Sequence, residues 1–398
     1  MKDVFIYEAI RSPRTRAKAD GGLHELTPPE LLGQLYLQLA TRTHLDPALV
    51  SEIILGCVTQ YGEQAANIAK TSALYAHWPD SVAGLTVNRF CSSSIDAIAI
   101  AALKVAAGYS DAIVAGGIEM MSRVPMLSDD ARVFNDPTYA VQSQMLLMGS
   151  GADLIATRGG ISRAQVDDVA FLSQQRAAHA QAEGRYTSIV GIATAAGVID
   201  QDECIRGGIT REKLAALPAA FAGLGAAGAD AVQMARYPEL AAIEHVHTAG
   251  NSPAMCDAAA VVLLGDAALG KKLGITPRAR LMASSTACGE PLEVLAGCIA
   301  ATRKLLNQQK LKTTDIDLFE IHEAFAATMI KAKRELQLDD DKVNPNGGVI
   351  ALGHPMGATG AIMTGTLIDE MERLSLTTGL VAASGAAGSG SALLLRRE

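Results

Sequence analysis

Two stretches of the chain echo each other, and that echo narrows the fold more than any single motif. Asn88 to Gly116 runs turn, cysteine, helix, strand, and Asn344 to Ser384 runs glycine-rich turn, histidine, helix, strand. Around them, short β-rich runs alternate with alanine-rich helical stretches. Val4–Tyr7, Ile53–Val58, Leu85–Asn88 and Ala112–Gly116 read as strands, and Ser94–Ala107 reads as a buried helix stopped by Gly108. Later, Ala279–Ser284, Leu318–Ile321 and Leu380–Ala383 read as strands and Gly357–Leu374 as a helix. Such alternation predicts an α/β fold with a parallel or mixed sheet covered by helices. The echo adds two similar halves, each setting one reactive residue at a helix start. With 398 residues, 49% of them apolar, the chain has ample material for a large core, so a disordered or tail-like role is excluded.

Between the halves, from about Met120 to Thr248, the texture changes. Gln144–Ala156 and Ser162–Glu183 read as amphipathic helices, the second opened by a capping box at Ser162 and Gln165. Gly223–Asp230 reads as a Gly/Ala-rich loop. The segment is expected to be an inserted, mostly helical cap. Alanine runs such as Ala258-Ala259-Ala260 suit close helix packing, in a buried helix or at a subunit interface.

A net charge of −8 leaves no basic footprint for nucleic acid. The longest apolar stretch is broken by Asp96, Lys104 and Asp111, so no membrane span is expected. Met1 to Pro13 reads as a strand and turn with no secretory pattern, and Arg396-Arg397-Glu398 matches no peroxisomal or retention signal. Cys57, Cys91, Cys204, Cys256, Cys288 and Cys298 are scattered, without the spacing of a disulfide framework or a zinc site. The expectation is a cytoplasmic protein without a metal.

Three residues carry candidate chemistry. Cys91, in Asn88-Arg89-Phe90-Cys91-Ser92-Ser93-Ser94, sits between a strand and an apolar helix. Free backbone N–H groups and the helix dipole there would lower its pKa and favour the thiolate nucleophile; the alternative is an inert buried thiol. His354 lies in a stretch with glycines at 347, 348, 353, 357 and 360, where a histidine can take a proton from a thiol. The alternative is a phosphate-type glycine loop with a bystander histidine. His322 follows the strand Leu318–Ile321, where a capping or solvated histidine is the simpler reading. His245 and His247 could share a strand face, but no carboxylate cluster stands beside them in the sequence.

Taken together, Asn88 to Ser94, Gly116-Gly117-Ile118-Glu119-Met120-Met121-Ser122, Thr248-Ala249-Gly250-Asn251-Ser252, His322-Glu323-Ala324-Phe325-Ala326 and Gly348 to Gly360 resemble the thiolase family over essentially the whole chain. The resemblance implies a duplicated five-layer αβαβα fold with a loop domain inserted in the first half. Residues 1–120, with 249–272 returning to them, would form the N-terminal half, 121–248 the CoA-binding cap, and 273–398 the C-terminal half. It implies Cys91 as the acyl-accepting nucleophile and His354 as its base. His322 stands where many thiolases have Asn and would orient a water or donate to the thioester carbonyl. The backbone N–H groups of Cys91 and Ala386 would form a second oxyanion hole; Ala386 replaces the usual Gly, which serves provided no positive φ is needed there. CoA contacts are implied at Met148, Ala249, Ser252, Ala324, Phe325 and Gly388. CoA is the cosubstrate, acyl-CoA the other partner, no cofactor is bound covalently, and a homodimer or homotetramer is expected.

Four departures stand out. Ser384 occupies the position of the family's second cysteine, which moves a proton at the α-carbon; a thiol of pKa ~8.5 can do this, whereas a hydroxyl is a far weaker acid. Pro253 replaces a serine that could donate a hydrogen bond. Val294-Leu295-Ala296-Gly297-Cys298 stands for the family's Met-Gly-x-Gly-Pro loop, and Phe221 to His247 is longer than in short biosynthetic thiolases. The activity expected is cleavage of 3-oxoacyl-CoA by CoA, or the reverse condensation, through an acyl-Cys91 intermediate. The alternatives are a decarboxylating, ketosynthase-like condensing enzyme and a catalytically impaired CoA-thioester-binding homologue. On the direct reading of Ser384, Ser384→Cys should accelerate thiolysis.

Overall fold

The computed structural model describes residues 2–397. Its first half runs β1 (Phe5–Arg11), α1 (Pro28–Thr43), β2 (Glu52–Gly56), α2 (Ile68–Tyr75), β3 (Ala83–Val87), α3 (Ser93–Ala106) and β4 (Ala112–Met120). A mostly helical stretch follows, with α4 (Met148–Arg158) and α5 (Arg163–Ala182) as its longest helices, and then the chain returns in β5 (Cys256–Gly265). The second half repeats the order: β6 (Ala279–Cys288), α6 (Gly297–Gln309), β7 (Leu318–Ile321), α7 (Ala326–Leu336), α8 (Thr359–Arg373), β8 (Thr378–Ser384) and β9 (Ser389–Arg396).

The pairing makes the duplication explicit. The first half is ordered β3-β2-β4-β5-β1, with β2 parallel to β3 and β4 and the rest antiparallel. The second half is ordered β7-β8-β9-β6 with the same directions. Its counterpart of β3 is reduced to one parallel bridge between Phe319 and Val343. The halves join edge to edge where Phe5 pairs with Arg280 and Ile6 with Ala279.

Alternation along the strands sorts side chains into layers. Ile54, Ile113 and Val262 of one half and Val381 and Leu393 of the other pack against α3 and α8, which form the central layer. Ile53, Val114 and Val261 face outward onto α1 and α2. Leu380, Ala382 and Leu394 face outward onto α6 and α7. Five layers result, αβαβα. The central pair of helices sets the site, because α3 begins just after Cys91 and α8 just after His354.

Three local expectations need correction. Ala258–Ala260 lie in β5, not in a helix; every residue of that strand is buried, and a side chain at facing Gly116 would sit 2.0 Å from the Ala260 carbonyl oxygen. The small residues therefore serve strand packing. Gly223–Asp230 is helical turn, with Ala222–Leu224 and Asp230–Arg236 flanking a wider turn broken by Gly228 at φ 120°. The helix read from Gln144 starts only at Met148; Gln144 itself, at φ 54°, closes the short helix Pro137–Ser143. At α5 the capping box forms: Ser162 Oγ accepts from Gln165 N at 3.3 Å, and Gln165 Oε1 accepts from Ser162 N at 2.9 Å. Among the described residues no helix is long and apolar enough to cross a membrane.

Candidate active site

The turn before α3 is shaped by its own side chains. Asn88 Oδ1 accepts from Phe90 N at 2.8 Å, and Ser93 Oγ accepts from Arg89 N at 2.9 Å. Phe90 takes a left-handed φ of 50°, which swings Cys91 out of the line of β3. Ser92 Oγ then donates to the Ala383 carbonyl at 2.8 Å, and Ser94 Oγ accepts from Ala361 N at 2.9 Å. The start of the first reactive helix is thus stitched to β8 and to the start of the second. Beneath them buried Glu119 accepts from the N–H groups of Val58, Thr59 and Gly357 at 2.9, 3.0 and 2.9 Å.

His354 follows Gly353, whose φ of 95° favours glycine. Its N–H donates to the Ala254 carbonyl at 2.8 Å, and its Nδ1 is 2.8 Å from Thr359 Oγ1. His322 lies at the end of β7. Its Nδ1 is 3.2 Å from the Ser384 carbonyl oxygen, which can only accept, so Nδ1 carries the proton. Nε2 therefore holds the lone pair; it is buried and has no hydrogen-bond partner. The two imidazoles adjoin at a centroid distance of 4.5 Å, with their planes tilted by 43°.

Burial dominates the electrostatics. It pulls His322 down to about 4, offset only in part by the Ser384 carbonyl. His354 is held well below the ordinary histidine range by burial, then by His322 and by the buried Arg14 guanidinium. Burial pushes the Cys91 thiol up to about 12, with the Glu119 carboxylate adding to the rise. The expected lowering by the helix start is overturned: desolvation of a thiolate outweighs the adjacent N–H groups. The resting site holds a neutral thiol and two neutral imidazoles.

Cys91, His322 and His354 open onto one cavity of about 300 Å³. Met148, Ser252, Ala324 and Phe325 line it too, with Pro253 beside them. Ser384, Ala249 and Gly388 do not. Ser384 is fully buried behind His322, its Oγ accepting from Cys298 N at 3.0 Å. Ala249 faces solvent in the turn before Asn251. Gly388, at φ 70°, donates its N–H to the Val294 carbonyl at 2.8 Å and so shapes the neighbouring loop. Ala386 has no positive φ; Ala387 takes it instead, at 55°. His245 and His247 both bond Asp153, at 2.9 and 2.7 Å, and no described group of residues could hold a metal ion.

Sequence reasoning missed most of the apolar wall, including Met121, Met126, Leu147, Leu224, Met255 and Met356. They come from segments far apart in the chain, with no period to mark them. One contact was traceable: a side chain on Gly149 would collide with the Phe221 ring at 2.3 Å, so glycine there lets Phe221 pack on α4.

Comparison with known proteins identifies the family. Residues 4–234 match the model of the thiolase N-terminal domain, and 275–397 that of the thiolase C-terminal domain. The chain belongs to the thiolase family. A 3-ketoacyl-CoA thiolase of Colwellia psychrerythraea is 35% identical over 411 residues, covering all of both chains. A 3-oxoadipyl-CoA/3-oxo-5,6-dehydrosuberyl-CoA thiolase of Escherichia coli is also 35% identical, over 425 residues and the whole of both chains. A steroid 3-ketoacyl-CoA thiolase of Mycobacterium tuberculosis is 34% identical, spanning all of this chain and 95% of that one. Among solved structures, the Bacillus anthracis acetyl-CoA acetyltransferase superposes with a TM-score of 0.86 at 34% identity, covering 100% of this chain and 99% of that one. Family membership makes the chain an acyltransferase of the thiolase type, acting on acyl-CoA. Neither a decarboxylating condensing enzyme nor an impaired CoA-binding homologue is favoured by these relatives.

Proposed function

We propose that the protein cleaves 3-oxoacyl-CoA with CoA, or runs the reverse condensation, with Cys91, His354 and His322 as its reacting groups. The observation that carries this reading is their convergence on one apolar cavity, with an unpaired Nε2 on His322. In cleavage, His354 takes the Cys91 proton as Sγ attacks the C3 carbonyl. The C2–C3 bond breaks, Cys91 keeps the acyl group, and the enolate at C2 receives a proton. That proton came from Cys91 and is passed on from His354 to His322, whose Nε2 delivers it to C2. CoA then attacks the acyl-Cys91 thioester, its thiol proton returning through His354 to Cys91. In condensation His322 Nε2 removes the C2 proton.

Position and protonation support giving this task to His322, not to Ser384. The Ser384 hydroxyl is turned to Cys298 and lies off the cavity. With its one proton committed to the Ser384 carbonyl, His322 is an acceptor and a base, and not a donor to a substrate carbonyl. The N–H groups of Cys91 and Ala386 would then stabilise the oxyanion. We further propose that 121–248 is a CoA-binding cap, that the protein works in the cytoplasm, and that it is at least a dimer. Edge strand β3 supports the dimer, because among the described residues it pairs only with β2 and half-exposes Leu85 and Val87. The experiment for the whole reading is thiolysis of acetoacetyl-CoA and longer 3-oxoacyl-CoA by the purified chain, with the reverse condensation of acetyl-CoA; absence of both cleavage and condensation refutes it.

A further inference from the structure

A second cavity, of about 230 Å³, lies in the cap against the first. Its wall includes Phe134, Ala140, Ala229 and Val232, and it shares Leu147 and Leu224 with the catalytic cavity. Apart from Ser150, every side chain on that wall is apolar. Ser150 Oγ is itself buried without a hydrogen-bond partner, so the wall offers a ligand almost only apolar surface. The catalytic cavity, about 300 Å³, is at the small end for a ligand site and must also admit the thioester end of CoA. Little of it remains for an acyl chain, and the adjoining apolar space begins behind two leucines.

We propose that the acyl group runs from Cys91 past Leu147 and Leu224 into the cap cavity, so that the substrate class is 3-oxoacyl-CoA with a long or bulky apolar acyl group. The inference rests on the thiolase reading, which supplies the acyl group and its point of attachment. The shared leucines act as the threshold: short acyl groups stop before them, and longer ones gain the second wall. Each methylene buried beyond the threshold should tighten binding about fourfold.

The test measures binding, not turnover, so that its failure is distinct from failure of the thiolase reading, which acetoacetyl-CoA thiolysis decides. CoA thioethers from S-ethyl to S-decyl cannot acylate Cys91, and their Kd values for the full chain are read by calorimetry. The expected result is a stepwise fall, with S-decyl-CoA at least 10²-fold tighter than S-ethyl-CoA. Ala229→Trp and Ala140→Trp, each placing a large ring in the lining of the cap cavity, should each remove most of that gain. A Kd independent of chain length overturns the proposal, whether or not the variants fold. So does a gain that survives in both folded variants, or variants that change only the molecular mass in light scattering, which would make the cavity a subunit contact.

Discussion

Replacing His322 by asparagine separates the two half-reactions. Asparagine keeps an N–H donor for the Ser384 carbonyl, which the imidazole Nδ1 serves at 3.2 Å. The fold therefore loses mainly the volume of a larger buried side chain, about 1–2 kcal/mol by analogy with small core truncations. Catalysis loses more, because the unpaired Nε2 disappears from the cavity. Loss of a positioned base costs about 10²–10⁴ in rate, or roughly 3–5 kcal/mol at the transition state. Transfer of an acyl group between CoA and Cys91 needs no proton at carbon and should fall by less than about tenfold. The assay pairs exchange of labelled CoA into acetyl-CoA with thiolysis of acetoacetyl-CoA. Ser384→Cys, altering a side chain off the cavity, should change thiolysis by less than about tenfold. Thiolysis left intact in His322→Asn, or raised a hundredfold or more in Ser384→Cys, would refute the assignment.

Two other outcomes follow from the same site, and a third from the edge of the sheet. The Cys91 thiol, pushed up to about 12, should be alkylated by iodoacetamide at a rate that climbs without levelling through pH 9; a plateau near pH 8 would contradict its burial. His322 is neutral in the folded protein down to about pH 4, whereas the unfolded chain protonates it near 6.5. Its contribution is thus fully present above pH 6.5 and is lost as pH falls towards 4, by about 3 kcal/mol, so His322→Asn should flatten that acid limb in denaturant titrations. Light scattering should give at least twice the chain mass of 41.4 kDa; a stable, active monomer would contradict the edge-strand argument.

Local chemistry made part of this protein legible. The turn-helix-strand echo around Cys91 and His354 reappears as α3–β4 and α8–β8, because each helix must bury an apolar face against its own strands and against the other helix. The alanine run in β5 misled because small residues serve a crowded strand as well as a helix interface; only the facing Gly116 distinguishes the two. The shift at Cys91 was not legible, since the helix start is visible in the sequence and the desolvation around it is not. Nor was the place of Ser384: its alignment with a catalytic position is a matter of sequence, but the turn of its hydroxyl toward Cys298 depends on how α6 meets β8. The methionine and leucine wall of the cavity is assembled from segments far apart in the chain, which no local pattern marks.

The most direct test of the account is the site of the covalent intermediate. The purified chain is incubated with acetyl-CoA, quenched in acid, digested and mapped by mass spectrometry. The account predicts one acetylated peptide, containing Cys91, formed also by His322→Asn and absent from Cys91→Ala. Acetylation at another cysteine, or a label that persists in Cys91→Ala, would contradict it.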